Sequence, residues 1–188
     1  DAADAAARTA AGGCGIGAGK QPCQSGADPG RLKVADVNGD GDVTLADRTI
    51  IGTPHPKFTT GLDGSIRRGN WDLSATVYGT FGNDIFDVQK EFYVFRNFST
   101  NVRQDLLTDS WTPTHTHAKY PELDINDSYS HQISDFYVED GSYVRLRTLQ
   151  LGYNLPPSWA KWTQASRVYL QAENLFTITG YDGLDPAL

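Results

Sequence analysis

KFTTGLDGSIRRGNWDLSATVYGTF, residues 57–81, decides how the rest of the chain is read. With a period of two, its first arm sets Phe58, Thr60, Leu62, Gly64 and Ile66 against Thr59, Gly61, Asp63 and Ser65. Its second arm sets Trp71, Leu73, Ala75, Val77, Gly79 and Phe81 against Asp72, Ser74, Thr76, Tyr78 and Thr80. Strict alternation is the signature of a strand with one apolar face, and Arg67-Arg68-Gly69-Asn70 between the arms supplies turn chemistry. The segment is therefore expected to be a β-hairpin. A four-residue turn sets Ile66 opposite Trp71, Leu62 opposite Ala75 and Phe58 opposite Gly79, so that large residues face small ones. A one-residue slip would send Asp72 to the apolar side.

Alternation alone also suits a strand of a soluble sandwich. Two features favour a membrane barrel. The arms run about 9 and 11 residues, the length a tilted strand needs to cross a bilayer. Aromatics sit near both ends of the apolar face, Phe58 and Phe81 at the open end and Trp71 at the turn, as interfacial girdles do.

Composition narrows the field. The chain has 188 residues, 39% of them hydrophobic and 11% aromatic, with a formal net charge of −7. An acidic chain without clustered Lys or Arg is a poor candidate for nucleic acid. No apolar run reaches the length of a transmembrane helix, and a barrel would show none, since each strand gives lipid only half its residues. There is no Met and no signal-peptide pattern, so this piece reads as internal. Cys14 and Cys23 match no zinc spacing; outside the cytoplasm a local disulfide is the expectation, inside it two free thiols. Residues 1–31, rich in Ala, Gly, Asp and Ser, read as a loop with one short helix near Ala5–Ala10.

DVNGDGDVTLAD, residues 36–47, is the densest chemical signal. Asp36, Asn38, Asp40, Asp42, Thr44 and Asp47 have the spacing of a calcium loop, with Gly41 where the sharp turn falls. Asp36, Asn38, Asp40 and Asp47 would ligate through side chains, Asp42 through its carbonyl and Thr44 through water. Four carboxylates brought together without a cation would repel one another. The competing reading is an acidic turn held by its own side-chain-to-backbone bonds.

After the hairpin comes an excursion from about Gly82 to Gly141, rich in aromatics, of a length that is unusual unless functional. Phe92, Tyr93, Trp111 and Tyr120 are its candidates for stacking on a sugar ring or a peptide side chain. For most of its aromatics, packing of the loop onto itself is the simpler reading. Within it VRQDLLTDSW suggests a short amphipathic helix capped by Ser99, Thr100 or Asn101, with Val102, Leu106 and Leu107 on one face. His115 and His117 lack further ligands and are expected at the surface. Residues 142–155 and 166–179 read as two more strands. In the first, Val144 and Leu146 have one parity and Leu149, Leu151 and Tyr153 the other, which a bulge near Thr148 would reconcile. Trp159 and Trp162, in the turn between them, suit an interfacial position.

Four motifs in this order, DVNGDGDVTLADRTIIGTPHPKFTTGL, WDLSATVYGTFGNDIF, DFYVEDGSYVRLRTLQLGYNLP and RVYLQAENLFTITGYDGLDP, resemble the C-terminal barrel region of the SusC/RagA family, TonB-dependent outer-membrane transporters of Gram-negative bacteria. The resemblance covers residues 30–188. It implies a barrel of about 22 strands with an N-terminal plug, import of an oligosaccharide or a peptide, a SusD-like lipoprotein above, and energy from TonB–ExbB–ExbD. No covalent chemistry is implied. This stretch is then an all-β, antiparallel barrel fragment, truncated at both ends: an extracellular loop region over residues 1–56 and barrel strands with their loops over 57–188. The rival class is a secreted calcium-binding enzyme or carbohydrate-binding module. A dockerin, however, needs two acidic loops each followed by a helix, and no pair of carboxylates stands out as a glycosidase dyad.

Overall fold

A computed structural model describes residues 8–187 apart from 10–13, 18, 96–102, 125, 128, 157 and 160–164. The suggested helix near Ala5–Ala10, the caps Ser99, Thr100 and Asn101, Val102, and Trp162 fall wholly or mostly outside these residues.

The four alternating segments form strands, and the excursion adds two short ones that alternation did not announce. In chain order they are β1 (Phe58–Arg68), β2 (Trp71–Phe81), the added β3 (Asp84–Phe86) and β4 (Val138–Asp140), β5 (Tyr143–Asn154) and β6 (Arg167–Thr179). Four of them make an antiparallel sheet in the order β1-β2-β5-β6, and the short β3 and β4 pair in a second sheet. Among the described residues no strand pairs beyond β1 or β6, so the barrel is not closed by this stretch alone.

The hairpin has its faces as expected but not its register. Phe58 opposes Phe81, Leu62 opposes Val77 and Ile66 opposes Leu73, two residues from the expected pairing. The turn is two residues, Gly69 and Asn70, with Gly69 at φ +60°. A glycine at positive φ in a two-residue loop matches the right-handed twist of the flanking strands. The ladder therefore runs on through Arg67 and Arg68, and each arm reaches 11 residues. Because the offset is even, no side chain changes face. Large residues now meet large ones: the rings of Phe58 and Phe81 stack at 4.7 Å.

The bulge near Thr148 is present. Thr76 opposes Thr148 and Val77 opposes Leu146, leaving Arg147 as the extra residue of β5. It restores Leu149, Leu151 and Tyr153 to the side of Val144 and Leu146. The result is one continuous apolar face, strongly exposed at Leu62 (71%), Ile66 (71%), Leu170 (75%) and Ile178 (65%). The opposite face is polar, with Asp63 accepting a 2.6 Å hydrogen bond from Thr76 and an ion pair between Arg167 and Asp72. A sheet that turns hydrocarbon outward and polar groups inward inverts the pattern of a water-soluble domain.

Residues group otherwise than in sequence order. One compact unit joins Asp1–Ile51 with Asp87–Tyr137, and the other joins Gly52–Phe86 with Val138–Leu188. Residues 87–137 of the excursion thus group with the N-terminal segment, while its two ends stay with the strands. Its core is Val94, Leu106 and Tyr120, with Tyr93, Phe95 and Phe136 against it. A π-type turn over Glu91–Phe95, unforeseen from sequence, presents Val94 to this core. The expected helix exists as α1 (Gln104–Thr108), capped by Arg103 without a side-chain bond. Leu106 is buried while Leu107 is 66% exposed, so the two do not share a buried face.

Candidate functional site

The acidic loop closes on itself. Asp36 accepts hydrogen bonds from the N–H groups of Gly39 (2.7 Å) and Gly41 (2.9 Å). Asn38 and Asp40 accept from the N–H groups of Asp40 and Asp42, each two residues on. Asp47, at the end, accepts from Val37 and Asn38 at the start, and from Thr44 at 2.7 Å. Thr44 in turn accepts from Ala46, a capping box over the single turn Leu45–Asp47. The N–H of Thr44, with those of Asn38 and Val37, holds the Asp47 carboxyl below the usual carboxylate range despite partial desolvation.

Gly41 is required twice over. Its φ is +88°, and a Cβ there would lie 2.7 Å from the Ile16 side chain. Ile16 belongs to the segment that the disulfide Cys14–Cys23 closes, with Cα atoms 5.0 Å apart. Cys23 donates its N–H to Gly41 (2.8 Å) and accepts from Val43 (2.7 Å), a parallel bridge beside Asp42. In an extended residue N–H and C=O point to the same side, so the carbonyl of Asp42 faces away from Cys23.

Among the described residues no three His, Cys, Asp or Glu side chains converge as a ready metal cluster. The donor chemistry of the loop nonetheless fits a hard cation. Its carboxylates each keep lone pairs beyond the N–H bonds they accept, Asp36 lies close enough to interact with Asp47, and the Asp42 carbonyl is not used by the bridge to Cys23.

The four stacking candidates do not form one surface. Tyr120 is 3% exposed, and its hydroxyl donates to Asp105 at 2.9 Å. Tyr93 packs on the same core, donates to Asp87 and lies under the Arg103 guanidinium, 5.0 Å from its ring centre. Both are packing residues rather than stacking platforms, because desolvation of the ring is already spent inside the protein. Trp111 is half-buried against Gly30, where a Cβ would come within 2.5 Å of the indole. Phe92 is 44% exposed. The Arg103 guanidinium, with the Tyr120 hydroxyl, lowers the Asp105 carboxyl to about 2. His115 is exposed and lies 3.0 Å from Asp109; His117 is exposed as expected.

The unit is braced across long sequence distances. Arg31 donates to Asp124 at 2.6 Å, 93 residues away, and lies 3.1 Å from Asp28. Sequence reasoning passed over this pair, since nothing local marks it. It also passed over the polar side chains around Arg147 on the sheet, where the break in parity was the available signal.

An outward apolar face, a polar opposite face and aromatic pairs at both ends of the sheet, Phe58 on Phe81 and Trp71 on Tyr153 at 4.6 Å, define the wall of a β-barrel membrane protein. No protein-family profile matches the chain. Individual proteins do. It is 37% identical over 161 residues to the TonB-dependent receptor P3 of Formosa agariphila, which takes in 85% of this chain and 16% of that protein. It is 27% identical over 154 residues to the TonB-dependent receptor SusC of Bacteroides thetaiotaomicron, covering 80% of this chain and 15% of SusC. A chain of the RagAB peptide transporter superposes with a TM-score of 0.64 at 27% identity, over 84% of this chain and 17% of that one. The chain belongs to the SusC/RagA family of TonB-dependent receptors, and its place is the outer membrane of a Gram-negative bacterium. It spans about one sixth of the length of the relatives it matches.

Proposed function

We propose that the full-length protein imports a nutrient oligomer, an oligosaccharide or a peptide, across the outer membrane. The observation that carries this reading is the sheet itself: its apolar face suits lipid, and its polar face suits the polar interior of a plugged barrel. The relatives support it, being TonB-dependent receptors and a peptide transporter by name. TonB–ExbB–ExbD supplies the energy and a SusD-like lipoprotein covers the outer mouth. The excursion after β2, with the acidic loop, belongs to the outer side and contributes the vestibule. No covalent step is involved; cargo is bound, enclosed and released. The acidic loop takes calcium in a structural role, bracing the segment that leads into β1.

A clean deletion of the gene, grown on a panel of single glycans and peptides, tests the import reading. Loss of growth on one class, restored by the intact gene, is the expected outcome. Recovery of the full-length protein from the periplasm or medium without detergent would overturn it.

A further inference from the structure

One feature of the sheet lies outside the general barrel pattern. Between matching pairs, β2 has no extra residue, β5 has one (Arg147), and β6 has two (Asn174 and Leu175, between Glu173 and Phe176). Asn174 stands at φ +51°, alone among the described non-glycine residues in the left-handed region. Bulges re-aim side chains, and backbone held in a sparsely populated region tends to mark functional positions. Here they open a hollow of about 620 Å³ on the polar face, walled by Tyr78, Tyr143, Arg145, Arg147, Glu173 and Asn174 among others.

Its two arginines differ. Arg145 is 13% exposed and already satisfied, donating to Thr177 at 2.8 Å and paired with Asp185. Arg147 is exposed, rests over the Tyr78 ring at 5.4 Å, and has no carboxylate within ion-pair distance among the described residues. Glu173 lines the same hollow yet stays apart from Arg147 and accepts instead from Gln171 at 2.8 Å. A guanidinium resting on an aromatic face keeps its N–H donors at its rim, in the fork geometry that matches a carboxylate.

We propose that this hollow is a subsite for a carboxylate of the cargo, with Arg147 as its anchor and Glu173 accepting a neighbouring O–H or N–H. The proposal rests on the import reading, which places the polar face in the lumen. It also places the hollow toward the outer mouth, since Tyr78 and Tyr143 lie near the strand ends that carry the long excursion. An acidic sugar and an acidic peptide both bring a carboxylate beside hydrogen-bond donors.

The test uses the full-length transporter in detergent, with titration calorimetry against four probes: an oligogalacturonate, its methyl ester, an aspartate-containing peptide, and the same peptide with its carboxylates amidated. One charged probe should bind the wild type, and which one identifies the source of the carboxylate. Arg147→Ala should weaken that binding about tenfold or more, the scale of a lost charge-assisted hydrogen bond. Arg147→Lys, which keeps charge but not the fork, should weaken it less. The neutral probes should bind wild type and Arg147→Ala alike. Equal binding of charged and neutral probes, no effect of either substitution, or binding of none of the four would overturn the subsite. Failure here with the deletion strain still losing growth removes the subsite alone; normal growth of that strain removes the import reading itself.

Discussion

At the scale of single residues, Gly152 shows how much an absent side chain can organise. It opposes Asp72 on one neighbouring strand and Tyr169 on the other. Arg167 reaches across it to pair with Asp72. A Cβ at this position would lie 2.5 Å from the Arg167 guanidinium and 2.7 Å from the Asp72 carboxylate. Arg167 is exposed and can swing aside, while the Asp72 carboxylate, 15% exposed, has less room to give, so Gly152→Val should cost the ion pair, about 0.2–1 kcal/mol, and the displacement of Asp72 besides. Chemical denaturation of the full-length protein should show that loss, and it should shrink when Arg167→Gln is already present. A loss of the same size in both backgrounds would mean that the valine is rejected by the strand itself.

Among the elements, the acidic loop is the clearest case of local sequence shaping a site. Its Asx-type bonds form between neighbours, and Gly41 supplies the conformation the turn needs. Calcium should add to these bonds by drawing Asp36, Asp40 and Asp47 together through the lone pairs that the N–H bonds leave free. The full-length protein should unfold at a higher temperature in calcium than in chelator, and the difference should shrink in Asp36→Ala and Asp40→Ala. Identical unfolding in both conditions would leave the loop as a self-bonded acidic turn. The disulfide ties Cys23, and with it the strand-like bridge to Asp42, to Cys14.

For the whole molecule, the exposed apolar face distinguishes a membrane wall from a soluble sheet. Leu62 is 71% exposed in the middle of β1. In water, Leu62→Lys would be nearly neutral. In a bilayer, a lysine near the midplane should cost about 2–4 kcal/mol, falling toward the interface. Urea unfolding of the full-length protein in lipid vesicles should show that cost for Leu62→Lys. Ser65→Lys, on the polar face, should stay close to wild type. Equal stability of the two variants would place the apolar face in contact with something other than lipid.

What the sequence determined by itself was whatever depends on near neighbours. A period of two assigns each residue of β1 and β2 to a face, and the parity break at Leu146–Leu149 announced the bulge at Arg147. The acidic spacing wrote out its own loop, while the two cysteines left a disulfide and free thiols open until the structure joined them. Four ordered motifs were enough to reach the SusC/RagA family. Tertiary structure decided what depends on distant partners. Register within the correct parity turned on Gly69 at positive φ and on Phe58 meeting Phe81, a choice between pairings that alternation leaves equal. Tyr93 and Tyr120 look like any exposed loop aromatics until Val94, Leu106 and Phe136 close around them. Arg31 finds Asp124 only because the N-terminal segment and the excursion fold into one unit. Such contacts follow from packing across some ninety residues of chain, which no local period encodes.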